Sequence, residues 1–439
     1  MQTKKIYIET YGCQMNFSDS EIVAAVVKEA GHSLCESPKL ADVIFVNTCS
    51  IRENAELRVR NRIQEFKSLK KKNPDLIIGI LGCMAERLKT QLLEEEQFVD
   101  IIAGPDAYRD IPHLIGNVES GIKGVNVLLS HEETYSDLNP VRLGSNGVSA
   151  FISIMRGCQN FCTYCVVPYT RGKERSRDML SIVNEATSLF NNGYREITLL
   201  GQNVNSYNWQ QYTFADLIKA VAQINPLLRV RFATSHPKDM SDALIHTIAA
   251  LPNICKSVHL PVQSGSTAIL NRMHRKYTRE AYLERIQTIR KHIPEASITT
   301  DIITGFCGET EEDHQTTLSL METVSFDYAF MFKYSQRPGT QAAKLYADDI
   351  PEEVKAKRLQ EIIDLQNKLS LKSNRNDIGK IFEVLAEGPS KRSQDYFSGR
   401  NSQNKMVIFP ARNTKPGDYV NVKVTHCTSA SLKGEQCEV

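Results

Sequence analysis

Ser149-Ala150-Phe151-Ile152-Ser153-Ile154-Met155 leads directly into Arg156-Gly157-Cys158-Gln159-Asn160-Phe161-Cys162-Thr163-Tyr164-Cys165. An apolar, strand-like run thus ends in a short loop with the pattern C-x3-C-x2-C. Three thiolates at this spacing can ligate three irons of a cubic iron–sulfur cluster and leave the fourth open to a substrate or cofactor. Structural zinc sites instead pair C-x2-C units and close with four ligands, and no fourth Cys or His stands nearby. The less specific reading is three buried thiols, or a zinc site closed by a distant residue.

Downstream, strands and helices alternate. Strand-like runs are Phe151–Met155, Glu196–Leu200, Leu228–Thr234, Ser257–Pro261, Ser297–Gly305 and Asp327–Tyr334. Helical patterns fall between them at Ser181–Asn191, Thr213–Ile224, Ala243–Ala249, Arg279–His292 and Thr310–Val324. Six such repeats predict a partial (β/α)6 barrel, open at the side, with its working loops at the carboxyl ends of the strands. Polar residues stand there: Gly201-Gln202-Asn203 after the second strand, and His259 to Ser266, including Gln263 and Ser264, around the end of the fourth. Asp301 lies within the fifth. Each alone could be ordinary turn or capping chemistry.

Upstream, three strand–Cys–helix units follow one another. Lys5–Thr10 leads to Cys13, Asp42–Thr48 to Cys49 and Leu76–Gly82 to Cys83, followed by helical stretches Ser18–Ala30, Glu53–Lys72 and Ala85–Glu96. Continuous apolar strands alternating with helices predict a parallel sheet covered on both faces, closed by a fourth strand, Val99–Ala103. Ligands of such sheets bind beyond the carboxyl ends of the strands. Cysteines about 35 residues apart can therefore converge into a second three-thiolate set; three separately buried thiols are the alternative. Residues 104–148 read as a connection. Cys35, Cys255 and Cys307 read as structural, Cys427 and Cys437 as incidental.

Toward the carboxyl end, Pro351–Ser370 reads as an amphipathic helix strapping the barrel. After Gly379 come short strands between turns, Ile381–Leu385, Tyr396–Gly399, Lys405–Phe409, Tyr419–Val424 and a last run near Leu432, which predict a small antiparallel barrel. Six basic residues, Lys391, Arg392, Arg400, Lys405, Arg412 and Lys415, stand there against one acid, Asp395, with Tyr396 and Phe397 interleaved. Charge plus aromatic faces on a small barrel suits single-stranded RNA. Two further basic stretches read either as RNA contacts or as solvated faces: the second helix (Arg52, Arg58, Arg60, Arg62, Lys67, Lys70, Lys71, Lys72) and the loop Tyr169 to Arg177.

At 439 residues the chain exceeds one hydrophobic core. Hydrophobic content of 41% and charged content of 24% are those of a soluble globular protein. A net charge of +2 means that any nucleic-acid surface is local. No apolar run approaches the roughly 18 residues of a membrane span, and Met1–Thr10 passes straight into a strand-like run without a signal-peptide core. A cytoplasmic chain is expected, its eleven cysteines metal ligands or free thiols rather than disulfides.

The cysteine loop resembles the motif of the radical S-adenosylmethionine (SAM) superfamily. There the open iron chelates SAM, and reduction cleaves SAM to methionine and a 5′-deoxyadenosyl radical. Tyr11-Gly12-Cys13-Gln14-Met15-Asn16, Asn47-Thr48-Cys49-Ser50-Ile51-Arg52 and Leu81-Gly82-Cys83-Met84-Ala85 resemble the methylthiotransferases, in which three such cysteines hold an auxiliary 4Fe-4S cluster that carries sulfur. Gly399-Arg400-Asn401, Lys405-Met406-Val407 and Ser431-Leu432-Lys433-Gly434-Glu435 resemble a TRAM domain, an RNA-binding barrel. Within the methylthiotransferases, the Cys49 stretch, Cys165-Val166-Val167-Pro168-Tyr169-Thr170-Arg171-Gly172 and Leu200-Gly201-Gln202-Asn203-Val204-Asn205-Ser206-Tyr207 look like the MiaB-type branch, which acts on tRNA.

The resemblance implies an amino-terminal domain over 1–125, a radical SAM barrel over 144–374 and a TRAM-like barrel over 375–439. It implies two 4Fe-4S clusters, one with SAM on Cys158, Cys162 and Cys165, one auxiliary on Cys13, Cys49 and Cys83. Gly201, Gln202, Gln263, Ser264 and Asp301 are the expected SAM contacts; Arg392, Arg400, Lys405 and Arg412 the expected RNA contacts. The implied reaction converts N6-isopentenyladenosine at position 37, in the tRNA anticodon stem-loop, into its 2-methylthio form. It needs a flavodoxin or ferredoxin type reductant and a sulfur donor, and a monomer is expected. Sibling enzymes act on threonylcarbamoyl-adenosine in tRNA or on an aspartate of a ribosomal protein. A more distant alternative is an RNA-binding iron–sulfur electron carrier, which closed four-cysteine clusters would suit better.

Overall fold

The computed structural model describes residues 3–49, 53–89 and 91–438; Ser50, Ile51 and Arg52 of the Cys49 motif lie outside them. The chain forms two compact units. One comprises Met1–Gly144, Ser153–Phe161 and Cys165–Ser181, the other Ser145–Ile152, Cys162–Tyr164 and Ile182–Val439. No described helix is long and apolar enough to cross a membrane.

The first unit is built on β1 (Lys5–Thr10), α1 (Gln14–Glu29), β2 (Ser33–Leu34), β3 (Val43–Thr48), α2 (Glu53–Lys72), β4 (Ile77–Gly82), α3 (Cys83–Leu88), α4 (Gln91–Glu95), β5 (Ile101–Ala103), α5 (Ile111–Glu119) and β6 (Gly124–Asn126). The strands pair in the order β2-β1-β3-β4-β5-β6, all parallel. Every residue of β3 and β4 is buried, because both faces carry helices. Alternate side chains feed two cores: Val43, Phe45, Ile77 and Leu81 meet α1 and α5 on one face, while Ile44, Val46, Ile78 and Ile80 meet α2 and α3 on the other. Gly79 leaves room for the Phe45 ring, which a Cβ would meet at 2.6 Å.

The sheet has six strands, not the expected four, and Val99–Ala103 does not close it: β6 pairs beyond β5. Residues 104–148 are therefore not a bare connection, since α5 and β6 lie within them. With nine and three residues, both are too short to show a period. The helix expected over Ala85–Glu96 is two helices: α3 ends at Leu88, with Lys89 at φ +50° outside it, and α4 spans Gln91–Glu95. α1 begins at Gln14, with Cys13 as its N-cap, four residues earlier than its apolar pattern suggests.

The stretch quoted first forms β7 (Ser149–Ser153) and, after a break at Ile154, β8 (Met155–Arg156). β8 pairs antiparallel with β9 (Arg175–Ser176), and α6 (Val167–Arg171) lies between them. The backbone closes tightly under the cysteine loop. Gly157 has φ +79°, and a Cβ there would lie 1.9 Å from the Lys173 carbonyl oxygen. Cys158 N–H donates to the Gly172 carbonyl at 3.1 Å.

The second unit continues with α7 (Met179–Asn191), β10 (Glu196–Leu200), the hairpin β11 (Asn208–Trp209) and β12 (Tyr212–Thr213), α8 (Phe214–Ala222), β13 (Arg229–Phe232), α9 (Asp242–Ala250), β14 (Ser257–His259), α10 (Thr267–Arg272), α11 (Arg279–His292), β15 (Ser297–Thr304), α12 (Glu311–Val324), β16 (Tyr328–Lys333), α13 (Gln341–Leu345) and α14 (Glu352–Arg375). The six major strands follow chain order as β7-β10-β13 and β14-β15-β16, and a parallel bridge from Val230 to Ile254 leads from one set toward the other. This is the open (β/α)6 arrangement expected. Ser241, Thr278 and Thr310 start α9, α11 and α12 by accepting backbone N–H groups.

Five strands, β17 (Ile381–Ser390), β18 (Ser393–Arg400), β19 (Met406–Pro410), β20 (Tyr419–Cys427) and β21 (Leu432–Gln436), close a barrel in the order β17-β18-β19-β21-β20. The closure is not purely antiparallel, because β19 and β21 pair parallel. Phe397 lies in the barrel core with Val384, Val407, Phe409 and Val422, so it offers no face to a base. The barrel is fastened to the base of the first three-stranded sheet. Arg229 Nη1 donates to the Arg400 carbonyl at 2.7 Å, Arg231 Nη2 to the Asn401 carbonyl at 2.7 Å, and the Tyr419 hydroxyl to the Leu227 carbonyl at 2.9 Å.

Candidate active site

Adjacent strands β1, β3 and β4 place Cys13, Cys49 and Cys83 at one sheet edge. Cys13 caps α1, Cys49 directly follows β3, and Cys83 is the first residue of α3. Asn47 ties the strand ends to α1: its Nδ2 donates to the Asn16 carbonyl at 2.9 Å and to Ser20 Oγ at 3.0 Å. Gly12 lets the first turn approach the second, since a Cβ there would lie 2.4 Å from Cys49 Cβ. A hydrogen bond with Cys49, with the Arg171 cation close by, lowers the Cys13 thiol pKa to about 6. Burial pushes the Cys83 thiol up, against the pull of Arg171, whose Nε donates to Cys83 Sγ at 3.2 Å. Among the described residues no three His, Cys, Asp or Glu side chains stand in metal-holding geometry. The structure supplies three strand-end thiols, one mutual hydrogen bond and a buried counter-cation, a soft anionic donor set of the kind iron–sulfur clusters take.

In the second unit, Arg275 is the neighbour of Cys162. Its Nη1 donates to the sulfur at 3.3 Å, its Nη2 to the Pro261 carbonyl at 2.7 Å, and its Nε to the Tyr277 hydroxyl at 3.0 Å. Thr163 is pinned by its N–H to the Met273 carbonyl and by its hydroxyl to the Arg272 carbonyl. Cys158 and Cys165 belong to the first unit, and both are half-buried.

Five residues beyond the carboxyl ends of β10, β13 and β14 carry buried polar atoms without partners: Gln202 (both amide atoms), Asn203 Oδ1, Ser235 Oγ, His236 Nε2 and Gln263 Oε1. Native folds leave few such groups unpaired, so this concentration matches a polar ligand of SAM's kind. Thr234 and Gln263 are held there with φ +71° and +73°, a cost that working sites tolerate. Burial, with Arg275 nearby, lowers the His236 pKa to about 2, so the ring is neutral. Its Nδ1 accepts from Lys238 N–H at 3.3 Å, which leaves Nε2 as the donor. Two other expected contacts are engaged elsewhere. Ser264 Oγ lies 3.4 Å from the Thr317 hydroxyl and accepts from Ser266 N–H at 3.2 Å; Asp301 pairs with His259 at 3.5 Å. Asn203, Ser235, His236 and Arg275 carry no spacing motif of their own; the run after each strand end is the signal that finds the first three.

In the segment after Cys165 the arginines are turned inward, away from solvent and phosphate, while Lys173 and Tyr169 are exposed. Arg171, Arg175 and Arg177 are 3%, 6% and 5% exposed. Arg171 and Arg156 both bond Asp19, at 2.7 and 2.9 Å, and Arg175 bonds Asp106 at 2.9 Å. On α2, Arg60, Arg62 and Lys70 are likewise bound, to Glu95, Glu9 and Asp100. On the terminal barrel, Lys405 is a fastening: its ammonium lies 2.7 Å from Asp377 and 3.4 Å from Asp327. Arg400 pairs with Glu387 at 3.2 Å. Arg392 and Arg412 are exposed, and the Lys433 ammonium stands 5.5 Å from the centre of the exposed Tyr396 ring.

Family models match along the chain: an uncharacterized protein family, UPF0004, at residues 5–104, the Radical SAM superfamily at 152–321 and the TRAM domain at 375–436. Two relatives bear the name tRNA-2-methylthio-N(6)-dimethylallyladenosine synthase. The one from Amoebophilus asiaticus is 56% identical, over 99% of this chain and 93% of its own. The one from Bacteroides thetaiotaomicron is 57% identical, over 99% and 96%. Among solved structures, the radical SAM methyltransferase TsrM from Kitasatospora setae matches with a TM-score of 0.59 at 14% identity, over 78% of this chain and 77% of its own. The cobalamin-dependent radical SAM enzyme OxsB matches with a TM-score of 0.56 at 12% identity, over 83% and 56%. Both show likeness of fold alone. The two close relatives, aligned from end to end, decide the identity: this chain belongs to the radical SAM family of tRNA-2-methylthio-N(6)-dimethylallyladenosine synthases, enzymes of tRNA modification.

Proposed function

We propose that the chain adds sulfur and a methyl group at C2 of N6-isopentenyladenosine, position 37 of the tRNA anticodon stem-loop, in the cytoplasm, as a monomer. The observation that carries this is the pairing of a three-thiol sheet edge with a C-x3-C-x2-C loop, each set leaving a cluster one iron short of full protein ligation. Adenine C2–H is neither acidic nor electrophilic, so side chains acting as acids, bases or nucleophiles have no grip on it. When bound, two 4Fe-4S clusters and SAM supply the radical, the sulfur and the methyl group.

The chain's own residues bind and orient. Cys158, Cys162 and Cys165 hold one cluster, and Arg275 donates to the Cys162 sulfur. Cys13, Cys49 and Cys83 hold the auxiliary one, set by Asn47 and Arg171. Gln202, Asn203, Ser235, His236 and Gln263 present the unpaired polar atoms that receive SAM. Arg392 and Arg412 offer charge to RNA phosphates. A flavodoxin or ferredoxin type reductant and a separate sulfur donor complete the reaction.

The test is nucleoside mass spectrometry of tRNA from cells with and without the protein. The 2-methylthio derivative of N6-isopentenyladenosine should depend on it. Loss of a methylthiolated threonylcarbamoyl-adenosine instead would assign the sibling reaction, and unchanged tRNA would turn attention to ribosomal protein.

A further inference from the structure

Arg171 is 3% exposed, and its guanidinium is divided three ways. Nε donates to Cys83 Sγ at 3.2 Å, Nη2 donates to Asp19 at 2.7 Å, and Nη1 is buried without a partner. Folds rarely leave a buried donor orphaned. Nor does Asp19 absorb the charge, because the same carboxylate also serves Arg156 at 2.9 Å and the Tyr108 hydroxyl at 3.3 Å. Asp106 is similarly divided between Arg175 at 2.9 Å and Arg156 at 3.5 Å. Three buried guanidiniums thus stand against two buried aspartates, and burying uncompensated charge is unfavourable. The nearby Glu86 pairs with Lys89, at 3.7 Å, rather than with these arginines. Each of the three guanidiniums keeps one buried nitrogen without a hydrogen-bond partner, Arg156 Nε, Arg171 Nη1 and Arg175 Nε, and of the three it is Arg171 that donates to a thiol of the sheet edge.

We propose that Arg171 is the anion-holding residue of the Cys13, Cys49 and Cys83 site: its free Nη1–H, on a guanidinium fixed by Cys83 and Asp19, hydrogen-bonds the hydrosulfide-class sulfur carried there. The inference rests on the auxiliary-cluster reading given above. It also assigns a task to the segment after Cys165. α6 begins two residues beyond that cysteine and ends at Arg171, so the chain that leaves one thiolate set delivers the donor of the other.

The test uses the full chain reconstituted anaerobically, as wild type, Arg171→Lys and Arg171→Gln. Iron is counted first, and sodium hydrosulfide is then titrated while the electron paramagnetic resonance of the reduced clusters is followed. All three should hold about eight irons. Arg171→Gln should weaken hydrosulfide binding about tenfold or more, and Arg171→Lys less, since a charged hydrogen bond is lost in one and a point charge kept in the other. Full iron with wild-type hydrosulfide affinity in both variants overturns the proposal. So does loss of the second cluster in both, which would make Arg171 an assembly element. Wild type with about four irons would instead sink the auxiliary-cluster reading itself.

Discussion

Two basic stretches, Arg171 to Arg177 and Arg392 to Arg412, look alike as sequence and fold into opposites. In the first, the arginines are buried and bound to Asp19, Asp106, Ser181 and backbone carbonyls. In the second, Arg392 and Arg412 are exposed, Arg400 pairs with Glu387, and Lys405 is taken inward by Asp377 and Asp327. The difference is made by partners far away in sequence. A carboxylate at position 19 decides the environment of an arginine at position 171, and no local composition reports it. Buried arginine is structural or site-forming; exposed arginine is available to a polyanion.

The comparison breaks most decisively at Asp19. Asp19→Asn leaves Arg156 and Arg171 buried with half their pairing, and removing one partner of a buried ion pair costs about 3–5 kcal/mol. Chemical denaturation of the anaerobic protein should show a loss of that order. A loss under about 1 kcal/mol would mean that the arginines are solvated after all. Glu86 sharpens the same region through pH. Burial raises its carboxyl pKa to about 7, so the folded state holds a proton that the unfolded state releases near the ordinary glutamate value. This contribution to stability is complete below about 4.3 and fades as pH rises through about 7. Denaturation midpoints at pH 5.5 and 8 should therefore converge in Glu86→Gln relative to wild type. An unaltered pH dependence would place Glu86 in water.

Smaller effects are expected at the terminal barrel. Lys405→Gln should lower stability by about 1–3 kcal/mol, leaving Asp377 short of its partner, with no change in the salt dependence of tRNA binding. Arg392→Ala combined with Arg412→Ala should do the reverse: unchanged stability, and a log–log salt slope for tRNA affinity shallower by about 1–2. A shallower slope from Lys405→Gln instead would reverse the roles given to these residues. Removing the whole barrel would not isolate RNA binding, because it would uncover Arg229 and Arg231, whose guanidiniums end on barrel carbonyls.

The repeating skeleton was legible from periodicity. Glu196–Leu200 and Arg279–His292 form the strand and helix their patterns indicate, residue for residue, because alternation of apolar side chains records burial directly. Cysteines past three strand ends do stand on adjacent strands, because parallel topology dictates that edge. Short elements such as α5 and β6 lacked the length for a period. Phe397 looked like a stacking face and is core, since an aromatic residue in a two-residue alternation can face either way until register is known. The charged network escaped altogether. Hydrophobic patterning is silent on which buried arginine meets which aspartate, and the orphan donors of Gln202, His236 and Arg171 exist only as placements in space.

The central claim is that two separate thiol sets hold two separate clusters. Iron content and Mössbauer spectra of anaerobically reconstituted wild type and Cys49→Ala, alongside 5′-deoxyadenosine formation from SAM, test it most directly. The account predicts about eight irons falling to about four, with SAM cleavage retained and methylthiolation of tRNA lost. Equal iron in the two proteins, or methylthiolated tRNA from Cys49→Ala at the wild-type level, would contradict it.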